Sequence, residues 1–174
     1  MARLRKFVAY RNLKRPYTRK SKYRKYSYVK ANPVCRIAKF HTGNTKREFE
    51  YKISLISKDA LQIRDNALEA ARLSTNRTME RKAGRHNYHF ILRTYPHNII
   101  REHALASGAG ADRFSTGMSR AFGTPTGIAA RIKQGQSVFD LYVNKENVDL
   151  ARKAIKKAKY KLPCTCRIEV KKVK

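Results

Sequence analysis

Hydrophobic positions along this chain change their period several times, and each change predicts an element. Val34–Phe40 reads as a short strand. From Glu48 onward Phe49, Tyr51, Ile53 and Leu55 alternate with their neighbours and share one strand face. The spacing then lengthens. Ala60, Ile63, Ala67, Leu68, Ala70, Ala71 and Met79 fall on roughly half of a helical wheel. Asp59 stands where an N-cap belongs, with Gln62 three residues on as its reciprocal partner, and Gly84 supplies the stop. This predicts a helix of about two dozen residues.

Beyond it, Asn87–Pro96 reads as a strand ended by Pro96, and Asn98–Arg101 as a short extended piece. Gly127–Lys133 and Ser137–Val143 read as a hairpin around Gln134-Gly135-Gln136. A second helix follows Asn144, its apolar stripe made by Val148, Ala151, Ile155 and Ala158. Pro163 ends it, and Arg167–Val173 makes a last strand. This order predicts an α+β domain on a mostly antiparallel sheet, with two packed helices turning their basic faces outward.

Two stretches escape this patterning, and there composition matters. Residues 1–47 contain no Asp or Glu, while lysines and arginines recur with Tyr10, Tyr17, Tyr23, Tyr26 and Tyr28 among them. Such a segment is disordered alone, because like charges repel and few aliphatics offset ordering entropy. On RNA it orders, with arginines on phosphates and tyrosines on bases or riboses. The second stretch, Gly108–Arg131, holds five of the chain's eight glycines, and its cations face the single acid Asp112. Glycines allow close backbone approach, and arginines suit phosphate. The organisation predicted is a basic extended N-terminal arm over 1–33 and a folded body over 34–174, with loop 103–117 inserted.

Charge points the same way. The net charge is +29 over 174 residues, from 41 Lys and Arg against 12 Asp and Glu. Self-repulsion on that scale destabilises a compact state, and a polyanion relieves it. No apolar run reaches membrane length, and the start lacks the apolar region of a secretory signal. Three cysteines, Cys35, Cys164 and Cys166, are an odd count that argues for a reducing compartment. Cys164 and Cys166 face one side of the last strand. Paired Cys-x2–4-Cys spacing is absent, so buried thiols are expected rather than a zinc site, and no metal or cofactor. His86 and His89 lie three apart in a strand and point to opposite faces, which disfavours shared ligation. No P-loop, Gly-x-Ser-x-Gly elbow or paired Asp-x-Asp occurs, so nothing positive supports an enzyme.

Five motifs then carry a family resemblance over nearly the whole chain. They are Arg15-Pro-Tyr-Thr-Arg19, Gln62–Arg72, Asn87-Tyr-His-Phe with Tyr95-Pro96, Gly110-Ala-Asp-Arg113 with Thr116–Pro125, and Ala154–Pro163. In order and spacing the chain resembles the archaeal–eukaryotic ribosomal protein L-ten-e family, counterpart of bacterial ribosomal protein L-sixteen. The resemblance implies an α/β hammerhead fold and a cytoplasmic structural protein of the large ribosomal subunit. Its implied partners are large-subunit rRNA near the aminoacyl-tRNA site, neighbouring ribosomal proteins and, transiently, tRNA; no membrane and no homo-oligomer are expected. The candidate rRNA contacts are Arg3, Arg5, Arg11, Arg15, Tyr17, Arg19, Lys20, Lys22, Arg24, Lys25, Arg77, Arg81, Lys82, Arg85, Arg101 and Arg120. The loop expected to face tRNA and the peptidyl-transferase centre carries His103, Ala106, Ser107, Gly108, Ala109, Gly110, Ala111, Asp112 and Arg113. The charge alone also fits an architectural DNA-binding protein of chromatin.

Overall fold

A computed structural model describes residues 5–12, 18, 21–31 and 33–173. After short 3-10 turns at Phe7–Tyr10 and Arg24–Tyr26, the elements in chain order are β1 (His41–Gly43), β2 (Tyr51–Ser57), β3 (Leu61–Arg64), α1 (Asp65–Ala83), β4 (Tyr88–Leu92), β5 (Asn98–Glu102), α2 (Ala111–Phe114), β6 (Thr124–Ile132), β7 (Ser137–Val143), α3 (Val148–Lys159) and β8 (Cys166–Lys172). The α+β class stands, and every ladder between named strands is antiparallel.

The strands fall into two sheets rather than one. The larger has the order β1-β4-β7-β2-β8, the smaller β3-β6-β5. The chain passes between them four times, from β2 to β3, β3 to β4, β4 to β5 and β6 to β7. Gly127–Lys133 and Ser137–Val143 are therefore not a hairpin: β6 and β7 belong to different sheets. The β2–β3 and β6–β7 connections brace each other. Ser57 N donates to Gln136 O at 3.0 Å, and Gly135 N donates to Ser57 O at 2.9 Å. Gly135 takes a φ of 76° at this corner, where a side chain is strained.

The same corner explains the misplaced helix start. Ile63 fits the predicted helical face, but Leu61 and Ile63 lie in strand β3, and both are buried against Ile132 and Ala130 of β6. Gln62 pairs across that ladder with Arg131 instead of capping a helix. Asp59 accepts from Thr165 N at 3.1 Å. The helix begins at Asp65, whose carboxylate accepts from Asn66 N at 2.8 Å and from Arg36 N at 3.1 Å. A carboxylate there also suits the positive end of the helix dipole. Val34–Phe40 carries no strand; pairing starts at His41, although Phe40 O accepts from Leu92 N at 2.8 Å. The strand expected over Asn87–Pro96 stops at Leu92.

Helices α1 and α3 pack on one another and against the larger sheet. Leu68, Ala71, Met79, Ala151, Ala154, Ile155 and Ala158 are all fully buried there with Ile53, Leu55, Phe90, Phe139 and Leu141. Small alanines let the helices approach closely. In α1 the buried face also includes Arg72, which is satisfied by two contacts to Glu69 at 2.8 and 2.6 Å. Its guanidinium is held above its ordinary pKa by that hydrogen-bonded carboxylate, against an opposing effect of burial. Inside the larger sheet Asp140 is buried and its charge is matched. Ser54 and Ser137 hydroxyls each donate to Oδ1 at 2.7 Å, while Lys52 and Arg93 approach Oδ2 at 3.0 and 3.3 Å.

The smaller sheet is covered by the arm. Ile99 and Ile100 point to opposite faces, as successive strand residues do. Tyr10 packs on Ile100 and Ala129, whereas Val29 packs on Ile99 and Ile128. The arm thus touches both faces and is not solvated along its length. Gln62 Nε2 donates to Tyr10 O, Asn98 Nδ2 donates to Gln62 Oε1 at 2.6 Å, and Gln62 N donates to Arg11 O at 3.3 Å. Buried amides at positions 62 and 98 thus satisfy one another and fix the arm's register.

Candidate nucleic-acid interface

Three regions carry the predicted contacts. The first is the end of α1. Arg77, Arg81 and Lys82 are exposed on its outer face, and Lys157 of α3 joins them. Together with Leu73, Ser74 and Thr78 these cations line an open cleft between the two helices. Lys157 Nζ donates to Thr78 Oγ1 at 3.3 Å, which holds the lysine over the cleft. Arg85 is exposed in the next turn, Arg85–Asn87. Cations in this last turn complement the helix dipole and remain available to phosphate.

The second region is the arm. Arg11, Lys22, Arg24 and Lys25 are exposed. Lys25 Nζ lies 5.1 Å from the Tyr26 ring centre, and Tyr23 and Tyr26 meet edge to face at 6.0 Å. Arg5 is also used within the fold: its Nε sits 2.5 Å from Glu102 Oε1 and latches the arm to the end of β5, with the side chain still 58% exposed. Arg3, Arg15, Tyr17, Arg19 and Lys20 lie outside the described residues, as does the side chain of Arg120.

The third region is the glycine-rich loop between β5 and β6. Its base is closely packed. Gly123 has a φ of 78°, and a Cβ there would come within 2.8 Å of the Glu102 backbone, so the two chain ends are pressed together. The Arg101 guanidinium stacks 3.5 Å above the Phe122 ring, a packing role beside any phosphate contact. Above this base His103 Nε2 donates to Gly117 O at 2.7 Å, and Ala106 N donates to Ser115 Oγ at 2.8 Å. These two bonds tie the sides of the loop together. The tip, Ala106, Ser107, Gly108, Ala109 and Gly110, is fully exposed, and Ala111, Asp112 and Arg113 begin the one-turn helix α2. That helix is not evident from the glycine pattern. Nor are the large apolar side chains beside the tip: Leu105, Phe114 and Met118 are 51%, 85% and 68% exposed.

Sequence reasoning also missed a ladder on the larger sheet. Register sets His89 opposite Tyr142, and Tyr142 opposite Lys52. His41, His89 and Tyr142 stack at 5.5 and 5.8 Å, and Lys52 Nζ lies 5.7 Å from the Tyr142 ring centre. His41 Nδ1 and His89 Nε2 are 3.2 Å apart. Burial and the neighbouring His41 hold His89 below its ordinary pKa. Alternation in β4 and β7 hints at these faces, but the pairing that unites them is not local information. Among the described residues no group of three or more His, Cys, Asp or Glu is arranged to hold a metal ion, and no helix is long and apolar enough to cross a membrane.

Comparison with known proteins decides the family. The family described as ribosomal protein L16p/L10e matches residues 14–169, which takes in the α1 cations, the loop and every strand except the end of β8. The chain belongs to the ribosomal protein L16p/L10e family. It is similar to the large ribosomal subunit protein uL16 of Archaeoglobus fulgidus, 44% identical over 94% of this chain and 90% of that protein. The uL16 proteins of Methanosphaerula palustris and Picrophilus torridus are 44% and 45% identical over 94% and 90% of this chain, covering 92% and 85% of their own lengths. Within the L16p/L10e family match fall all four loop glycines Gly108, Gly110, Gly117 and Gly123, each at positive φ here.

Proposed function

We propose that this chain is a structural component of the large ribosomal subunit that binds large-subunit rRNA. The observation carrying this reading is membership of a ribosomal protein family by a chain whose exposed cations cluster on the arm and at the α1–α3 cleft. Arg77, Arg81, Lys82, Arg85 and Lys157 contact the RNA backbone, with Arg11, Lys22, Arg24 and Lys25 of the arm. Arg3, Arg15, Tyr17, Arg19, Lys20 and Arg120 are further rRNA contacts in this reading. Neighbouring ribosomal proteins complete the site, and the protein works in the cytoplasm as part of the subunit.

The loop from His103 to Gly117 has a separate task in this reading. It reaches toward tRNA near the peptidyl-transferase centre. The braced base and the small tip support this, because small side chains fit a narrow RNA-walled space. Charge on the base and arm anchors the protein while the tip, poor in charge, enters.

Salt-titrated binding tests the first part. Folded rRNA fragments should bind more tightly than duplex DNA of equal length, and each phosphate-contacting cation removed should lower the salt slope by about one. Equal or tighter binding to duplex DNA would favour a chromatin protein instead. Deleting Leu105–Ala111 tests the second part. The deleted protein should still enter subunits, and those ribosomes should translate more slowly or less accurately; normal rate and accuracy would refute the loop assignment.

A further inference from the structure

Cys164 and Cys166 form a thiol pair that the RNA-facing surface does not use. The chain leaves α3, passes Pro163 and enters β8 at Cys166, with Thr165 between the two cysteines. Thr165 is held on both backbone groups. Its N–H donates to Asp59 Oδ2 at 3.1 Å, and its carbonyl accepts from Lys58 N at 2.9 Å. With the middle residue clamped, the flanking side chains project the same way, and their sulfurs lie 3.3 Å apart. Access differs between them. Cys164 is half-buried in the bend before the strand, whereas Cys166 is 3% exposed and packed into the main core. Cys35, the third thiol, packs instead against Val29, Ile99 and Ile128.

We infer that Cys164 and Cys166 are a peroxide-oxidisable dithiol, with Cys164 as the attacking sulfur and Cys166 as the resolving one. A small oxidant reaches the half-buried sulfur, and the second thiol already lies in contact with it. Proton affinity runs in the same direction. The hydrogen bond from Cys166 pulls the Cys164 thiol below its ordinary pKa, against burial, while the same bond and burial push Cys166 up.

The chemistry balances with hydrogen peroxide as oxidant. The Cys164 thiolate attacks one peroxide oxygen; an S–O bond forms, the O–O bond breaks, and the departing hydroxide takes a proton from solvent to become water. The product is a sulfenic acid on Cys164. Cys166 then attacks that sulfur. The S–S bond forms, the S–O bond breaks, and the leaving hydroxide departs with the Cys166 proton as a second water. Two thiols lose two electrons and one peroxide is reduced. The Cys164 end is free to close the remaining gap, because it precedes β8 and makes no ladder pair. The ring formed would staple the α3–β8 junction beside Ser57, the residue paired with Cys166.

Timed exposure of the folded full-length chain to hydrogen peroxide, quenched with N-ethylmaleimide and mapped by peptide mass spectrometry, tests this. The peptide holding Cys164 and Cys166 should lose both thiols together as an internal disulfide, about ten-fold faster than Cys35 is oxidised. In Cys166→Ser, dimedone should trap a sulfenic acid on Cys164. In Cys164→Ser, oxidation of Cys166 should slow to the rate of Cys35. Equal rates at all three cysteines, only intermolecular disulfides, or prior oxidation of Cys166 would overturn the assignment. The rate comparison in the unaltered chain decides the matter even if a variant fails to fold, and it does not depend on RNA binding.

Discussion

In the five-stranded sheet, Ile53, Leu55, Phe139, Leu141 and Val143 are fully buried by α1 and α3, elements that follow their strands closely in the chain. In the three-stranded sheet, Leu61, Ile63, Ala130 and Ile132 join that same core, but Ile99, Ile100, Ile128 and Ala129 are covered by Tyr10 and Val29, far away in sequence and set in a segment without acids. The first region is an ordinary core whose stability comes from apolar burial. The second is the outer part of the small sheet, where the arm supplies a few anchors and a long exposed loop joins β5 to β6. That division separates a densely packed platform from a more lightly anchored attachment, and stability should be unequal between them.

The largest effect should come from the platform. Leu68→Asp places an unpaired charge among fully buried side chains and should destabilise the protein by about 4 kcal/mol, read by chemical denaturation. Near-normal stability would mean that α1 does not seat its apolar face on the sheet. A pair of glycine changes sharpens the contrast next. At Gly43, with φ 91°, a Cβ would sit 2.2 Å from the Tyr88 carbonyl oxygen; at Gly108, with φ 118°, nothing lies within 4 Å. Gly43→Ala should therefore lose about 3 kcal/mol, and Gly108→Ala only about 1 kcal/mol from backbone strain. Equal losses in the two variants would break the distinction between a packed sheet and an open loop.

Tyr10→Ala should have an intermediate and local effect, about 2 kcal/mol. Hydrogen exchange should quicken at β5 and β6 amides and stay unchanged at β2 and β7. Quickening of both sheets together would show that the arm supports the whole fold. The smallest effect is electrostatic. His89 has its folded pKa below the unfolded value, so it contributes stability that is complete above about pH 6.5 and is lost as pH falls through the folded value. Denaturation on either side of that pH should show a shallower decline in His89→Asn than in the unaltered chain.

Much of the platform was legible along the chain. Period-two alternation located β2, the glycine at 84 ended α1, and the stripe Val148, Ala151, Ile155 and Ala158 named the buried face of α3 almost in full, missing Ala154. These signals are local: residues a few positions apart report on one face of one element. The acid-free arm and the glycines at 108, 110, 117 and 123 likewise announced a polyanion partner and a loop, because charge and backbone freedom are properties of composition.

What the tertiary structure alone decided lies where local signals tie. Leu61 and Ile63 satisfy a helix or a strand equally well, and only the partner strand β6 selects the strand. Gln134-Gly135-Gln136 looks like any hairpin turn, until hydrogen bonds from Ser57 turn it into a crossing between two sheets. Arg5 and Arg101 carry the same charge as their neighbours, and only the fold adds Glu102 and the Phe122 ring as their partners at the arm and the loop base. Composition by itself pointed to a polyanion partner. Which neighbours each cation has was decided by contacts between residues far apart in the chain, because a side chain's surroundings depend on what folding places beside it.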